Sequence, residues 1–153
     1  MMAEVFKTTP YSVLFDAALS KLKDYDFDDL SQDEIYIILL PYIRPACVKF
    51  KASVQNLKNR DDMLQQFNLV LEDDEIEILA NEVVRAYIDA TYLKTPLVLK
   101  TMLTSKDFHV FSNANHIRSL MLLDETLKKE NEQLISGYSW ENSSIYDSGS
   151  TTL

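Results

Sequence analysis

The sequence predicts an all-α fold, a small bundle of about four to five helices with an extended C-terminal tail. Three observations carry that expectation. Only Gly137 and Gly149 occur, so residues 1–136 lack the glycines that sheets need at tight turns and bulges. Apolar residues recur at helical spacing in several separate segments. Hydrophobic residues make up 46% of the 153, enough for one real core in one domain.

The first helix is expected from Pro10 to Lys23, with Thr9 as its cap and Pro10 at the first helical position. Leu14, Ala18 and Leu22, flanked by Phe15 and Leu19, form its apolar stripe. Asp24–Leu30 is acidic and aromatic and reads as a connecting turn. A calcium loop starting at Asp24 would place Asp29 where a glycine is required and Ile35 where a glutamate is required. Ser31 and Glu34 form a capping box for a second helix bearing Ile35, Ile38, Leu39, Tyr42, Ile43, Ala46, Cys47 and Phe50. Pro41 and Pro45 kink it or break it near Leu40.

Asn56–Asp62 is polar and reads as a turn. Asp73 caps the third helix, Asp74–Leu93. Its core face is Ile76, Leu79, Ala80, Val83, Val84, Tyr87, Ile88 and Thr91, and its first turn is acidic, as the helix dipole favours. A short helical piece, Leu97–Leu103, follows Pro96. Lys106–Phe111 alternates polar and apolar and reads as a loop or short strand. Ser112 then caps a fourth long helix, Asn113–Ser136, with a stripe of Ile117, Leu120, Met121, Leu127, Leu134 and Ile135. Gly137 stands where a left-handed cap would end it. The chain thus divides into a helical domain, 1–137, and an extended tail, 138–153.

No constellation suggests catalysis. His109 and His116 with Cys47 do not reach the ligand count of a zinc site, and no cofactor motif occurs. Cys47 lies on an apolar stripe and reads as a small hydrophobe. A single cysteine forms no internal disulfide. Met1–Pro10 has no apolar run of a signal peptide, and the apolar stretch Ile35–Pro41 is too short to span a bilayer. A reducing cytosol is the expected setting. With 15 basic and 24 acidic residues the net charge is −9, which disfavours nucleic-acid and anionic-membrane binding by the chain as a whole.

Charge is unevenly placed. Ile43–Arg60 holds Arg44, Lys49, Lys51, Lys58 and Arg60 and no acid. Asp61–Asp89 holds nine acids, Glu72, Glu75 and Glu82 among them, against Arg85 alone. Such blocks are ordinary solvated faces, or they lie on opposite sides of a subunit and meet between neighbours in a ring. The tail spaces Tyr138, Trp140 and Tyr146, with Asn142 and Ile145, among small polar residues. These are either anchors for a partner's pockets or side chains folded back on the chain's own core.

The stretch 75–142, with EIEILANEVVRAYIDATYL, then KDFHVFSNANHI and a closing YSWEN, resembles small structural proteins of tailed-bacteriophage virions. The family association is with the neck, where connector (adaptor) rings join portal to tail. The resemblance implies a non-enzymatic helical protein, assembled in the host cytoplasm and placed in the virion neck. It implies a ring of copies, about twelve by that likeness, bound to the portal protein and to a further neck or tail-completion protein. DNA would pass without specific binding, and no membrane or cofactor would be involved. Ser112, Asn115 and His116 match the helix-start motif, and Tyr138, Trp140 and Asn142 the closing one, with packing or docking roles. The competing class is a helical regulatory adaptor that binds a partner enzyme as a monomer or dimer. Stoichiometry separates the two.

Overall fold

A computed structural model describes residues 7–22, 27–93 and 108–150, and the side chains of all of these except 93, 108–114 and 144–150. The protein is mostly helical, as expected, with one small sheet that composition did not announce. The first helix, α1, is Tyr11–Lys21. Thr9 does not cap it. Thr9 and Pro10 form β1, and the Thr9 hydroxyl donates to the Leu69 carbonyl (3.0 Å) and accepts from the Leu71 N–H (2.9 Å). Those two bonds stitch the chain start to the segment before the central helix. The stripe of Leu14, Phe15, Ala18 and Leu22 is buried, and Tyr11 joins it.

Ser31 caps α2, Gln32–Leu39, by accepting the Glu34 N–H. Pro41 ends α2. A tight 3₁₀ turn, Leu40–Tyr42, follows, and α3, Ile43–Lys49, takes Pro45 into its first turn, where no amide hydrogen is needed. The second helix is therefore broken in two.

Between α3 and the next helix the chain forms a hairpin, β2 (Arg60–Asp61) and β3 (Gln66–Phe67), antiparallel, with β1 on the other side of β3. Asp61 Oδ1 accepts the Met63 and Leu64 N–H groups, closing the turn without glycine. Gln65 takes the left-handed conformation, φ 54°, that a glycine would ordinarily supply. Phe67 drops fully buried from this sheet, edge-on to Tyr11.

The central helix, α4, is Asp73–Ile88, continued by one wide π turn, Asp89–Leu93. Glu72, not Asp73, is its cap, in a reciprocal capping box with Glu75. Every residue from Ile78 to Val84 is buried, because α1, α3 and the last helix enclose α4 on different sides. Leu79, Ala80, Val83, Val84, Tyr87 and Ile88 lie in the core as predicted, while Ile76 is only half-buried and Ile78 replaces it.

The last helix, α5, runs from Phe108 to Ser150. Neither predicted boundary holds. Residues 108–111 are helical rather than loop or strand, so Ser112 is not a cap, and Gly137 does not end the helix. Gly137 is exposed with open space where a Cβ would stand, so its cost is only the roughly 1 kcal/mol of a helical glycine. Tyr138, buried one residue later, holds the backbone in place. The expected extended tail is therefore helix through Ser150. Pro96, Leu97–Leu103, Asp24–Asp26, Lys106 and Asp107 lie outside the described residues, as do the side chains of His109 and Ser112.

Candidate interaction surface

The contact between α4 and α5 places the functional candidates. α5 presents a seven-residue repeat to α4: Ile117, Asp124, Asn131 and Tyr138 at one position, Leu120, Leu127 and Leu134 at the other. Ile117, Leu120, Leu127, Asn131 and Tyr138 are buried. The helices are antiparallel, because their polar pairs run in opposite order. Arg85 Nε donates to Asp124 Oδ1 (3.0 Å). Asn131 Nδ2 donates to the Ile78 carbonyl (3.1 Å) and Glu82 Oε1 (2.9 Å). The Tyr138 hydroxyl donates to Glu75 Oε2 (2.7 Å). Asn81 Nδ2 donates to Asn131 Oδ1 (2.8 Å). Lys21 of α1 closes the edge of this seam on Glu77 (2.7 Å) and Glu130 (3.5 Å).

Three titratable groups in the seam show their surroundings. Burial alone would lower the pKa of Lys21, yet Glu77 and Glu130 outweigh it and raise the value. Arg85 is raised in the same way by Glu82 and Asp124. Burial, with Glu75 beside it, raises Tyr138.

This geometry sorts the predicted interface residues. Glu75 and Glu82 do not face a neighbouring subunit. Glu75 is fully buried and accepts from Gln55 Nε2 (2.6 Å), the Glu72 N–H (2.8 Å) and Tyr138. Glu82 is buried against Asn131 and Arg85. Glu72 is exposed and is the helix cap. Arg44, Lys49, Lys51 and Lys58 are exposed, and Arg60 is half-buried, 3.7 Å from Asp62. Four of these cations, Arg44, Lys51, Lys58 and Arg60, line one open groove of about 640 Å³ beside α3, floored by Cys47, Phe50 and Leu57. Among the described residues no carboxylate lines it. Burial pushes the Cys47 thiol up to about 11, as befits a hydrophobe rather than a nucleophile.

A second depression, about 260 Å³, lies between the start of α4 and α5. Glu72, Asp74, Glu75 and Glu141 line it, and among the described residues no cation does. Val54 and Gln55 line both depressions, forming a crest between them. The crest is tied down from beneath: the Val54 N–H donates to Tyr138 Oη (2.9 Å), and Gln55 bonds Glu75 and the Val70 carbonyl. Basic and acidic surfaces thus adjoin across one crest. They do not stand on opposite sides of the subunit, because segment 50–72 lines both, with α3 completing the groove and the start of α4 and α5 completing the depression.

The predicted docking residues divide. Tyr138 belongs to the chain's own core, 4% exposed and edge-on to Phe50. Asn142 is half-buried and bonds the Tyr138 carbonyl within the helix. Trp140 is 76% exposed. The side chains of Ile145 and Tyr146 lie outside the described residues. His116 packs edge-on to Tyr92, and Asn115 is exposed. Among the described residues no group of three or more His, Cys, Asp and Glu side chains could hold a metal ion, and no helix is long and apolar enough to cross a membrane. Sequence reasoning missed Asn81, Asp124 and Asn131, which counting by seven from Ile117 would have exposed in part. No protein-family model, curated protein or solved structure matches the chain.

Proposed function

We propose that the chain is a non-catalytic structural protein of a larger assembly, a head-to-tail connector that forms a ring between portal and tail in a bacteriophage neck. One observation carries the assembly part of this reading. α5 outlasts its partner helix: α4 begins at Asp73, opposite Tyr138, while α5 continues over residues 139–150, roughly 18 Å of further helix. Trp140 stands exposed at the root of that extension. An exposed tryptophan on a projecting helix is what a partner's pocket takes up, since large aromatics dominate the energetics of interfaces. The neck assignment adds the resemblance of residues 75–142 to virion structural proteins.

The test is assembly on a purified portal ring, read by electron microscopy and mass. The full chain should add a ring of density to the portal. Trp140→Ala, and a chain ending at Ser143, should fold normally and fail to add it. A full chain that ignores portal rings but binds a single partner in one-to-one ratio would sink the connector reading and favour a regulatory adaptor.

A further inference from the structure

The basic groove and the acidic depression are complementary, sit side by side, and share a crest. A contact that pairs one with the other therefore has a specific symmetry. A head-to-tail ring needs its two complementary surfaces on different sides of the subunit. Two surfaces flanking one crest instead meet their complements when a second copy is turned by half a revolution about that crest. We propose that this face binds a second copy of the chain in a reciprocal two-fold contact. Val54 lies at the axis, and each copy's Arg44, Lys51, Lys58 and Arg60 meet the other's Glu72, Asp74 and Glu141.

Three features favour a second copy over another partner. Both halves of the contact are present on one chain, each sorted cleanly by charge. The crest and its flanks carry Val54 at 64%, Val48 at 61% and Val70 at 54% exposure, an apolar centre inside a charged rim, the usual anatomy of an interface. Arg60 Nε is buried with no acceptor within hydrogen-bond distance among the described residues, and the Asp62 carboxylate of its own subunit stands 3.7 Å away. A nucleic-acid strand fits less well, because the carboxylates beyond the crest repel any phosphate backbone that leaves the groove. The inference rests on the reading of the chain as a self-associating protein and describes its free form. The pair occupies the charged face and leaves Trp140 outside it for the assembly.

The test measures the mass of the free full chain by sedimentation and native mass spectrometry. At about 50 mM salt the mass should be twice 17.6 kDa, and near 500 mM it should fall to one chain, since screening weakens charge contacts at that strength. Lys51→Glu with Lys58→Glu should weaken pairing at least about tenfold, as should Asp74→Asn with Glu141→Lys. Asn keeps the acceptor that Asp74 offers the Glu75 N–H, so the helix start is spared. Circular dichroism should show both variants folded. Mixing them in equal amounts should restore a pair, because each reversed groove then faces a reversed depression. A wild-type chain that stays single at low salt overturns the proposal. So does a groove variant that pairs as tightly as wild type, or a mixture that does not pair. A free chain that closes into rings at low salt overturns the two-fold contact while leaving the connector reading standing, and portal binding tests that reading separately.

Discussion

Removing one oxygen from Tyr138 should cost far more than a surface hydroxyl. In Tyr138→Phe the ring stays against Phe50, so no cavity opens. What goes is a bond to the fully buried Glu75 carboxyl at 2.7 Å and one from the Val54 N–H at 2.9 Å. A hydrogen bond to a charged group contributes about 1.5–3 kcal/mol, and a neutral one about 1. The sum is roughly 2–4 kcal/mol, or a fall of about 4–16 °C in melting temperature for a domain of this size. Glu75 keeps Gln55 and the Glu72 N–H, so the carboxyl is not stranded outright, and the lower half of that range is the expectation. Urea unfolding followed by circular dichroism gives the number. In Tyr138→Phe combined with Glu75→Gln, the second change should cost less than it does alone, because the two groups share a bond. A loss below about 0.5 kcal/mol for Tyr138→Phe would mean that the Glu75–Tyr138 contact does not hold α5 to α4.

Three further outcomes follow from the same geometry. A chain ending at Ser143 should melt close to the full chain, whereas one ending at Gly137 should lose several kcal/mol, because Tyr138 is core. Leu79→Ala, at a fully buried site enclosed by three helices, should cost roughly 3–5 kcal/mol by denaturant unfolding, and a cost under about 1 would refute its enclosure. Burial raises Tyr11 and Tyr138 above the usual 10, so the folded chain keeps protons that the unfolded chain releases. Stability should therefore be complete below about pH 10 and decline above it, and Tyr11→Phe should flatten the decline in pH-dependent melting curves.

The parts of the fold written in apolar periodicity were legible in the sequence. α1, α2 and the core face of α4 follow from spacing, and the break at Pro41 follows from a missing amide hydrogen. The misreadings share a cause: local signals overruled by distant partners. Thr9 looks like a cap but bonds Leu69 and Leu71, far along the chain. Gly137 looks like a stop, but Tyr138 is held by Glu75. Glu75 and Glu82 look like solvated charges because their partners, Gln55, Tyr138 and Asn131, lie far away in sequence. The charge blocks were visible as composition. That they adjoin across Val54 was not, since it depends on how segment 50–72 folds back over α4.

The polar rungs between α4 and α5 have a consequence for reach. Leucines and isoleucines repeating every seven residues tolerate a slide of one helical turn, about 5.4 Å, at little loss. Asn131 and Asp124 do not. Such a slide would take Asn131 away from Glu82 and the Ile78 carbonyl, and Asp124 away from Arg85, so the bonds that join the two helices would be lost together. The rungs work like the notches of a ruler. They fix how far α5 stands out beyond Tyr138, and so the height at which the exposed Trp140 is held above the rest of the fold.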